Sequence, residues 1–530
     1  MDAMAESRRK ISSWVLDCLP LFLLPLLCLL LYLPALRHDF VMDDATLVVG
    51  NPYIKSWRYL PQMLSEDAWN VWERHNYWRP IFSISLALDY SLWGLNPLGF
   101  HLTNVLLHAL NTVLLYSLSK KLLNTGAVFA SLLFALHPIQ AHAVNVISIR
   151  GDLLAALFVL LCLKTFLSNR SVLCASLLIL ALLSKETSVT LPAILLFAGL
   201  LVKTENLELK KSLLLTFISL GTYLVARLSL GFSFSLPPSI FSYEAYFPAR
   251  FLLVFKVLLL YFLALFNLFE MPHPFWSVEV PTSLNDPYVI GGMSSLGLLI
   301  WAIWKGVKRA PVLAFGLVWF LIYFLPISNL KELNQPMAEH WLYLPMIGLS
   351  LAFGAALNTL WIRLSDAHLF RACITAGVTV LLIVGALVVR EKTKIYQDDE
   401  TFLLAAIRAN PRIAKLHSMV GSIYLAKQDI TKAKEFYAKA LALDPNDFLA
   451  NYRTGFLLQQ GSQHEEARIY LERVVRSNPS RLSEILTVAH AWEMLGDKQK
   501  ALLYYRKALD LNSELVRIQH KVAGLESELQ

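Results

Sequence analysis

Charged residues are scarce in this sequence. Asp, Glu, Lys and Arg together make up 16% of the 530 residues, whereas 56% are hydrophobic. The mean hydropathy of +0.51 is too high for a water-soluble domain, which could not bury that much apolar surface in its own core. The composition therefore excludes a purely soluble protein and indicates that most of the chain is surrounded by lipid.

Cysteine is also rare, with five residues in the whole chain. All five fall inside apolar stretches, and none has the spacing of a metal site or a disulfide framework: Cys18, Cys28, Cys162, Cys174 and Cys373. Cysteine chemistry therefore predicts neither a cofactor nor a compartment.

Apolar stretches long enough to cross a bilayer, about 20 residues each, recur between Trp14 and Val389. The predicted membrane spans lie near residues 14–36, 99–119, 126–141, 152–168, 171–184, 187–203, 211–230, 289–304, 311–327, 341–361 and 372–389. The first is too long for a signal peptide and follows three basic residues at positions 8–10. We expect it to be retained, with the N-terminus in the cytoplasm.

A further apolar stretch at 250–269 makes the number of spans uncertain between eleven and twelve. If it crossed the membrane, the basic residues Lys305, Lys308 and Arg309 would lie outside, against the positive-inside rule. We therefore predict that it lies along the outer surface or re-enters. Eleven spans then put the C-terminus on the side opposite the N-terminus.

The C-terminal part is charged and repetitive. Ala433, Ala467 and Ala501 are spaced by 34 residues, the period of tetratricopeptide repeats. The pattern predicts an all-α protein with a membrane domain at 1–395, containing a first outer loop at 37–98, and a repeat domain at 396–530. Three repeats cover 414–515, followed by a cap helix, and such arrays bind peptides or proteins or stabilise assemblies.

Adjacent carboxylates open the first outer loop, where Asp43 and Asp44 follow the first span. Mutual repulsion can raise the pKa of one of them toward a range useful for a general base. A pair of aspartates in a loop is most often only solvated, so the pair by itself does not establish catalysis.

Basic side chains also recur beside spans on the predicted outer face. Arg79, Arg150, Lys185 and His340 belong to the segments YWRPI, RGDLLA, SKETSVT and AEHWLYLP. Polar groups near lipid are costly to keep and are candidates for function. These four could share a lipid-linked phosphate.

Six segments in order carry a resemblance: DDATLVVGNPYI, YWRPIFSISLALDY, GFHLTNVLLH, HPIQAHAV followed by RGDLLA, SKETSVT, and AEHWLYLP. With the repeats, they resemble the transmembrane and tetratricopeptide-repeat O-mannosyltransferase-like proteins of the C-type glycosyltransferase superfamily. The resemblance implies a membrane enzyme that transfers a sugar, with inversion, from a polyprenyl or dolichyl phosphate to Ser or Thr of a protein. It implies a catalytic acidic residue in the first outer loop, here Asp43 or Asp44.

Within the resembling segments, donor binding is expected from Arg79, His137, Arg150, Lys185, Glu186, Glu339 and His340. Basic groups that bind the leaving phosphate more tightly as its charge develops would accelerate the reaction, so no metal or other cofactor is expected. The chain departs from the family pattern at Gln140, His142 and the pair His340–Trp341. The sugar is therefore left open.

Other functions remain compatible with the sequence. Within the enzyme class, the acceptor could be a lipid or a polysaccharide. In a different class, the chain could be a membrane scaffold whose repeats recruit partners, although a plain anchor has no reason to keep polar groups on one face. The expected location is a bacterial inner membrane with periplasmic repeats, or equivalently an endoplasmic-reticulum membrane with lumenal repeats.

Overall fold

A computed structural model describes residues 19–68, 76–123, 125–202, 207–233, 247–266, 278–364, 367–512 and 515–529. These residues form helices and connecting turns without a β-strand. The all-α prediction is therefore confirmed. The chain divides into two compact units, and the division falls between Asp398 and Asp399.

In the described part of the first unit there are fifteen α-helices. They are α1 Leu19–Leu31, α2 Leu60–Ser65, α3 Pro80–Trp93, α4 Pro97–Leu123, α5 Gly126–Leu136, α6 Ala141–Asn145, α7 Arg150–Phe166, α8 Ser171–Ser184, α9 Leu191–Val202, α10 Leu207–Ser229, α11 Phe247–Phe266, α12 Pro287–Arg309, α13 Pro311–Phe324, α14 Tyr343–Arg363 and α15 His368–Ile395. The predicted outer loop 37–98 thus contains the helices α2 and α3, which its aromatic composition did not predict.

Six of the described helices are long and apolar enough to cross a membrane, and a bent pair makes up to seven. Four further apolar helices are shorter, with 10–17 residues. The chain is thus a multi-pass membrane protein. Five of the eleven predicted spans coincide with long helices, and the sixth long helix is α11, which the prediction did not count as a span. The spans predicted near 14–36, 171–184, 187–203 and 311–327 overlap the shorter apolar helices, so the number of crossings stays a prediction.

One predicted span is broken. The stretch expected as a single helix at 126–141 ends at Leu136 and restarts at Pro138, with a bend of 47°. Proline has no backbone N–H to continue the helix. His137 occupies the break, and its Nδ1 accepts a hydrogen bond from Ile139 N at 3.2 Å. The break turns the following residues, including His142, into the interior.

Glycines allow the central helices to approach closely. A side chain at Gly316 would place its Cβ 2.3 Å from the carbonyl oxygen of Gly348, and one at Gly126 would lie 2.3 Å from the carbonyl oxygen of Gly354. The α13–α14 and α5–α14 contacts are therefore backbone against backbone. Such packing is typical of helices in lipid, where close approach replaces the hydrophobic effect as the source of association.

Helix α11 packs closely against α12, where a Cβ on Gly292 would lie 1.9 Å from the carbonyl oxygen of Phe255. Arg250 pairs with Glu332 at 3.1 Å, and the Tyr261 hydroxyl contacts the backbone of Ala338 at 3.3 Å. Both partners lie in the connection between α13 and α14. Lys256 pairs with Asp286 at 3.1 Å, just before α12, which forms a hairpin with α13. Helix α11 is also one of the six helices long and apolar enough to cross a membrane, so the expectation that 250–269 does not cross stays a prediction.

The second unit is built from paired helices: α16 Asp399–Ala409, α17 Ala414–Ala426, α18 Ile430–Leu443, α19 Phe448–Gln460, α20 His464–Val475, α21 Leu482–Met494, α22 Lys498–Leu511 and α23 Val516–Leu529. Small residues at equivalent positions receive large side chains from the partner helix. A Cβ on Gly421 would lie 2.6 Å from the Tyr437 ring, and one on Gly455 would lie 2.8 Å from Leu471. The 34-residue repeat predicted from the sequence therefore corresponds to repeated helix pairs.

The positive-inside rule, applied to the basic residues after α12, predicts that α11 does not cross the membrane. In a variant whose five native cysteines are serine, single cysteines at Ser229 and Ser283, before and after α11, should react with a membrane-impermeant maleimide from the same side. A cysteine at Ala310, in the turn between α12 and α13, should react from the opposite side and serves as the control. Labelling of Ser229→Cys and Ser283→Cys from opposite sides would mean that α11 crosses.

Candidate functional site

The two aspartates that open the first outer loop have different surroundings. Asp44 is fully buried, and its carboxylate accepts hydrogen bonds from Val41 N at 3.1 Å and Ser148 N at 2.7 Å. Burial raises the pKa of Asp44 to about 6, although these backbone donors favour the ionised form. Asp44 therefore ties the first loop to the turn before α7.

The Asp43 side chain is exposed, whereas its backbone carbonyl accepts hydrogen bonds from Thr46 N and Leu47 N at 3.1 and 2.8 Å. Its carboxylate lies within electrostatic range of Tyr77. The pKa of the Tyr77 hydroxyl is raised to about 12 by burial, opposed by Arg79 and reinforced by Glu186, Asp67 and Asp43. Asp43 thus sits on a fixed backbone near the Arg79–Glu186 pair.

Arg79 and Glu186 form a two-point ion pair between the start of α3 and the turn after α8. The distances are 2.9 Å from Nε to Oε2 and 2.5 Å from the second nitrogen to Oε1. The side chains are 14% and 32% exposed, so this pair lies at the accessible edge of the cluster. The guanidinium also lies over the Tyr77 ring, 4.4 Å from its centroid.

Two further ion pairs lie deeper. Lys185 contacts Asp152 at 2.5 Å, and both side chains are nearly inaccessible. Lys392, near the end of α15, contacts Glu339 at 2.8 Å and the backbone oxygen of Pro138 at 3.1 Å. Of the cations expected at a phosphate, Arg79 and Lys185 are therefore each paired with a carboxylate.

Two histidines join these pairs into one cluster. The rings of His142 and His340 are 4.9 Å apart and nearly perpendicular, and His142 stacks on Tyr396 at 5.5 Å. Lys185 and Lys392 act electrostatically on His142, while Lys185 and Arg79 act on His340. The structure thus gathers the predicted residues Arg79, Lys185, Glu186, Glu339 and His340 around His142.

Arg150 has surroundings of a different kind. It is fully buried, pairs with Asp89 at 2.6 Å, and donates to Asn104 Oδ1 at 2.7 Å and Phe100 O at 2.9 Å. These contacts tie α7 to α3 and α4. Since its guanidinium is inaccessible and occupied by protein partners, the geometry gives Arg150 a packing role and does not support the predicted phosphate contact.

His137 also departs from the expected role. Its Nε2 lies 3.1 Å from the carbonyl oxygen of Leu265 in α11, while its Nδ1 accepts from Ile139 N. Both ring nitrogens are therefore engaged by the backbone. His137 therefore stabilises the break between α5 and α6 and its contact with α11.

Sequence reasoning missed three charged partners: Asp89, Asp152 and Lys392. A signal was present for the first two, because a carboxylate inside or beside an apolar segment needs a partner. Lys392 gave no such signal, because it follows the last predicted span within a run of charged residues and resembles an orienting charge. Its burial depends on the packing of α15 against the turn at 138–140.

Comparison with known proteins supports the motif reading. Tetratricopeptide repeat models match residues 414–447 and 449–480. The protein O-mannosyl-transferase F38B6.6 of Caenorhabditis elegans is 27% identical over 80% of this chain, and Tmtc1 of Drosophila melanogaster is 26% identical over 76%. The chain is similar in sequence to protein O-mannosyl-transferases. The predicted resemblance and the repeats are confirmed.

The similarity has a defined extent. The alignments cover 63% of the C. elegans relative and 59% of the D. melanogaster relative, so the chain spans less than two thirds of their length. The human protein O-mannosyl-transferase TMTC2 is 38% identical over 27% of this chain and 18% of its own length. An apo crystal structure of ArnT from Cupriavidus metallidurans aligns with 85% of this chain and 80% of its own at a TM-score of 0.41 and 17% identity.

The buried Arg150–Asp89 pair predicts a stability effect. Arg150→Met should lower the free energy of unfolding by about 3–5 kcal/mol, because it leaves the Asp89 carboxylate buried without its partner. Thermal unfolding in detergent measures the loss. The control is Lys394→Met, which removes an exposed pair with Glu391, with side chains 61% and 58% exposed, and should change little. Equal effects of the two substitutions would contradict the packing role.

Proposed function

We propose that the chain is a membrane glycosyltransferase that moves one monosaccharide from a polyprenyl or dolichyl phosphate to a Ser or Thr hydroxyl of a protein. The similarity to proteins named protein O-mannosyl-transferases over 80% of this chain carries the proposal. The cluster around Arg79 supplies a site with the required chemistry: an accessible carboxylate, a cation at the edge and polar groups behind it.

Asp43 is the proposed general base. Its exposed carboxylate can meet an acceptor hydroxyl, whereas Asp44 is buried and holds the loop through two backbone hydrogen bonds. As the hydroxyl oxygen attacks the anomeric carbon, its proton passes to Asp43. The bond from the anomeric carbon to the phosphate oxygen breaks on the opposite face, and the electron pair leaves with the phosphate. The product is therefore inverted.

Arg79 is the proposed contact for the leaving phosphate. It is the cation of the cluster with the greatest side-chain exposure, 14% against 7% for Lys185 and none for Lys392. A guanidinium can bind phosphate while it keeps a second partner, here Glu186. Lys185 adds positive potential behind it. The proposal uses these cations and no divalent metal.

The repeats are proposed to hold the acceptor protein on the same side of the membrane as the site. Tetratricopeptide arrays present a surface to peptides or proteins, and tethering raises the local concentration of acceptor without changing the chemistry. This assignment depends on the orientation predicted from the charge count, with the repeats on the side opposite the N-terminus.

The base assignment predicts distinct effects of two neighbouring substitutions. Asp43→Asn should lower transfer by about 100-fold with an unchanged melting temperature, since it removes a general base from an exposed position. Asp44→Asn should lower both transfer and melting temperature, because each carboxylate oxygen accepts one backbone N–H and the amide NH2 would replace one of these acceptors with a donor. Transfer of mannose from a polyprenyl phosphate to a Ser/Thr peptide measures activity.

The matched control is Asp39→Asn, an exposed carboxylate of the same loop that accepts only from Phe40 N among its recorded side-chain contacts. It should retain near wild-type transfer. If Asp43→Asn kept full activity while Asp44→Asn lost transfer without a change in melting temperature, the base would be Asp44.

The role of the repeats predicts a separation of two activities. Deleting 414–530 should leave transfer to a short, saturating peptide largely intact and lower transfer to folded acceptor proteins. Parallel thermal unfolding of the truncated protein checks its stability. Loss of both activities with a lower melting temperature would mean that the repeats support the fold and do not recruit the acceptor.

A further inference from the structure

A group of buried polar atoms lies beside the ion pairs of the candidate site. Within the described part of the chain, no hydrogen-bond partner is recorded for the Gln140 amide nitrogen and oxygen, Nδ1 of His142, Nδ1 of His340 and Oε1 of Glu339. Gln140, His142 and Glu339 are exposed by 0%, 6% and 1%. Buried polar groups are normally satisfied, so such a concentration requires an explanation.

These side chains come from segments that pack together. Gln140 ends the turn Pro138–Gln140, His142 lies in α6, and Glu339 and His340 open the turn Glu339–Leu342. Lys392 joins the two turns by contacting both the Pro138 oxygen and Glu339 Oε2. The unpartnered atoms are therefore held on a preorganised frame.

The hydrogen-bonding capacity of these atoms indicates the kind of ligand that they would bind. Glutamine and imidazole groups each donate and accept hydrogen bonds, and the second oxygen of Glu339 accepts only. An anion would be repelled by this carboxylate, whereas a neutral polyhydroxylated ring offers donors and acceptors to every group. A single buried water makes about three hydrogen bonds, fewer than the five atoms present.

We infer that Gln140, His142, Glu339 and His340 form the subsite for the sugar ring of the donor, behind the phosphate contact at Arg79. This inference rests on the proposed function and adds specificity-determining residues to it. Arg79 and Lys185 act electrostatically on His340, which relates the sugar subsite to the phosphate contact. The phosphate and the sugar are thus recognised by different groups of one cluster.

Binding of two lipids to the full chain in detergent tests the subsite. The probes are a polyprenyl phosphate and the same lipid carrying one mannosyl residue. Gln140→Leu and His340→Leu should each weaken binding of the mannosyl lipid about tenfold and leave binding of the bare phosphate lipid unchanged. Gln140→Asn, which keeps the amide on a shorter side chain, should lose less than Gln140→Leu.

The control is His417→Leu in the second unit, whose buried Nδ1 likewise has no recorded partner among the described residues. It should change neither affinity, whatever its effect on melting temperature. The subsite would be overturned if the site variants weakened binding of both lipids equally. It would also be overturned if the variants left both affinities unchanged and raised the melting temperature, which would indicate buried water only. Failure of the unmodified chain to bind either lipid would contradict the proposed donor and the subsite together.

Discussion

The pairing of buried charges is the constraint on which the candidate site depends. Asp152–Lys185 and Glu339–Lys392 are buried pairs whose members lie 33 and 53 residues apart in the chain. An unpaired charge at these depths would cost several kcal/mol, so each partner fixes the position of the other. The outer turns are consequently held in one arrangement by electrostatics as well as by packing.

This pairing also decides which groups can act on a ligand. A cation that is buried against a carboxylate contributes electrostatic potential, but a ligand cannot contact it directly. Lys392 and Arg150 are examples. The exposed edge, with Asp43, Arg79 and Glu186, is where a charged substrate can be met. Within the described part of the chain, the Gln140 amide and the Nδ1 atoms of His142 and His340 have no hydrogen-bond partner, and they lie beside the buried ion pairs of the same cluster.

The helices that carry these groups are positioned by close backbone contacts. Gly316 against Gly348 and Gly126 against Gly354 bring α13, α14 and α5 together where no side chain would fit. The break at His137–Pro138 then redirects the chain, so that α6 enters the site instead of continuing a span. Lipid gives apolar helices little preference for one packing arrangement. The proline and the glycines therefore fix the relative positions of these helices.

The sequence by itself determined that one part of the chain lies in lipid and the other in water, because hydropathy is a local property. The 34-residue spacing of the repeats and the polar groups beside apolar runs, which mark the segments of the candidate site, can likewise be read locally. Arg79, Arg150, Lys185 and His340 were predicted in this way, and the family resemblance added Glu186 and Glu339. Only the tertiary structure decided that Arg150 is enclosed by Asp89 and Asn104, and that Lys392 pairs with Glu339. Pairing depends on which helices meet, and one-dimensional charge patterns cannot distinguish an orienting lysine from a buried one.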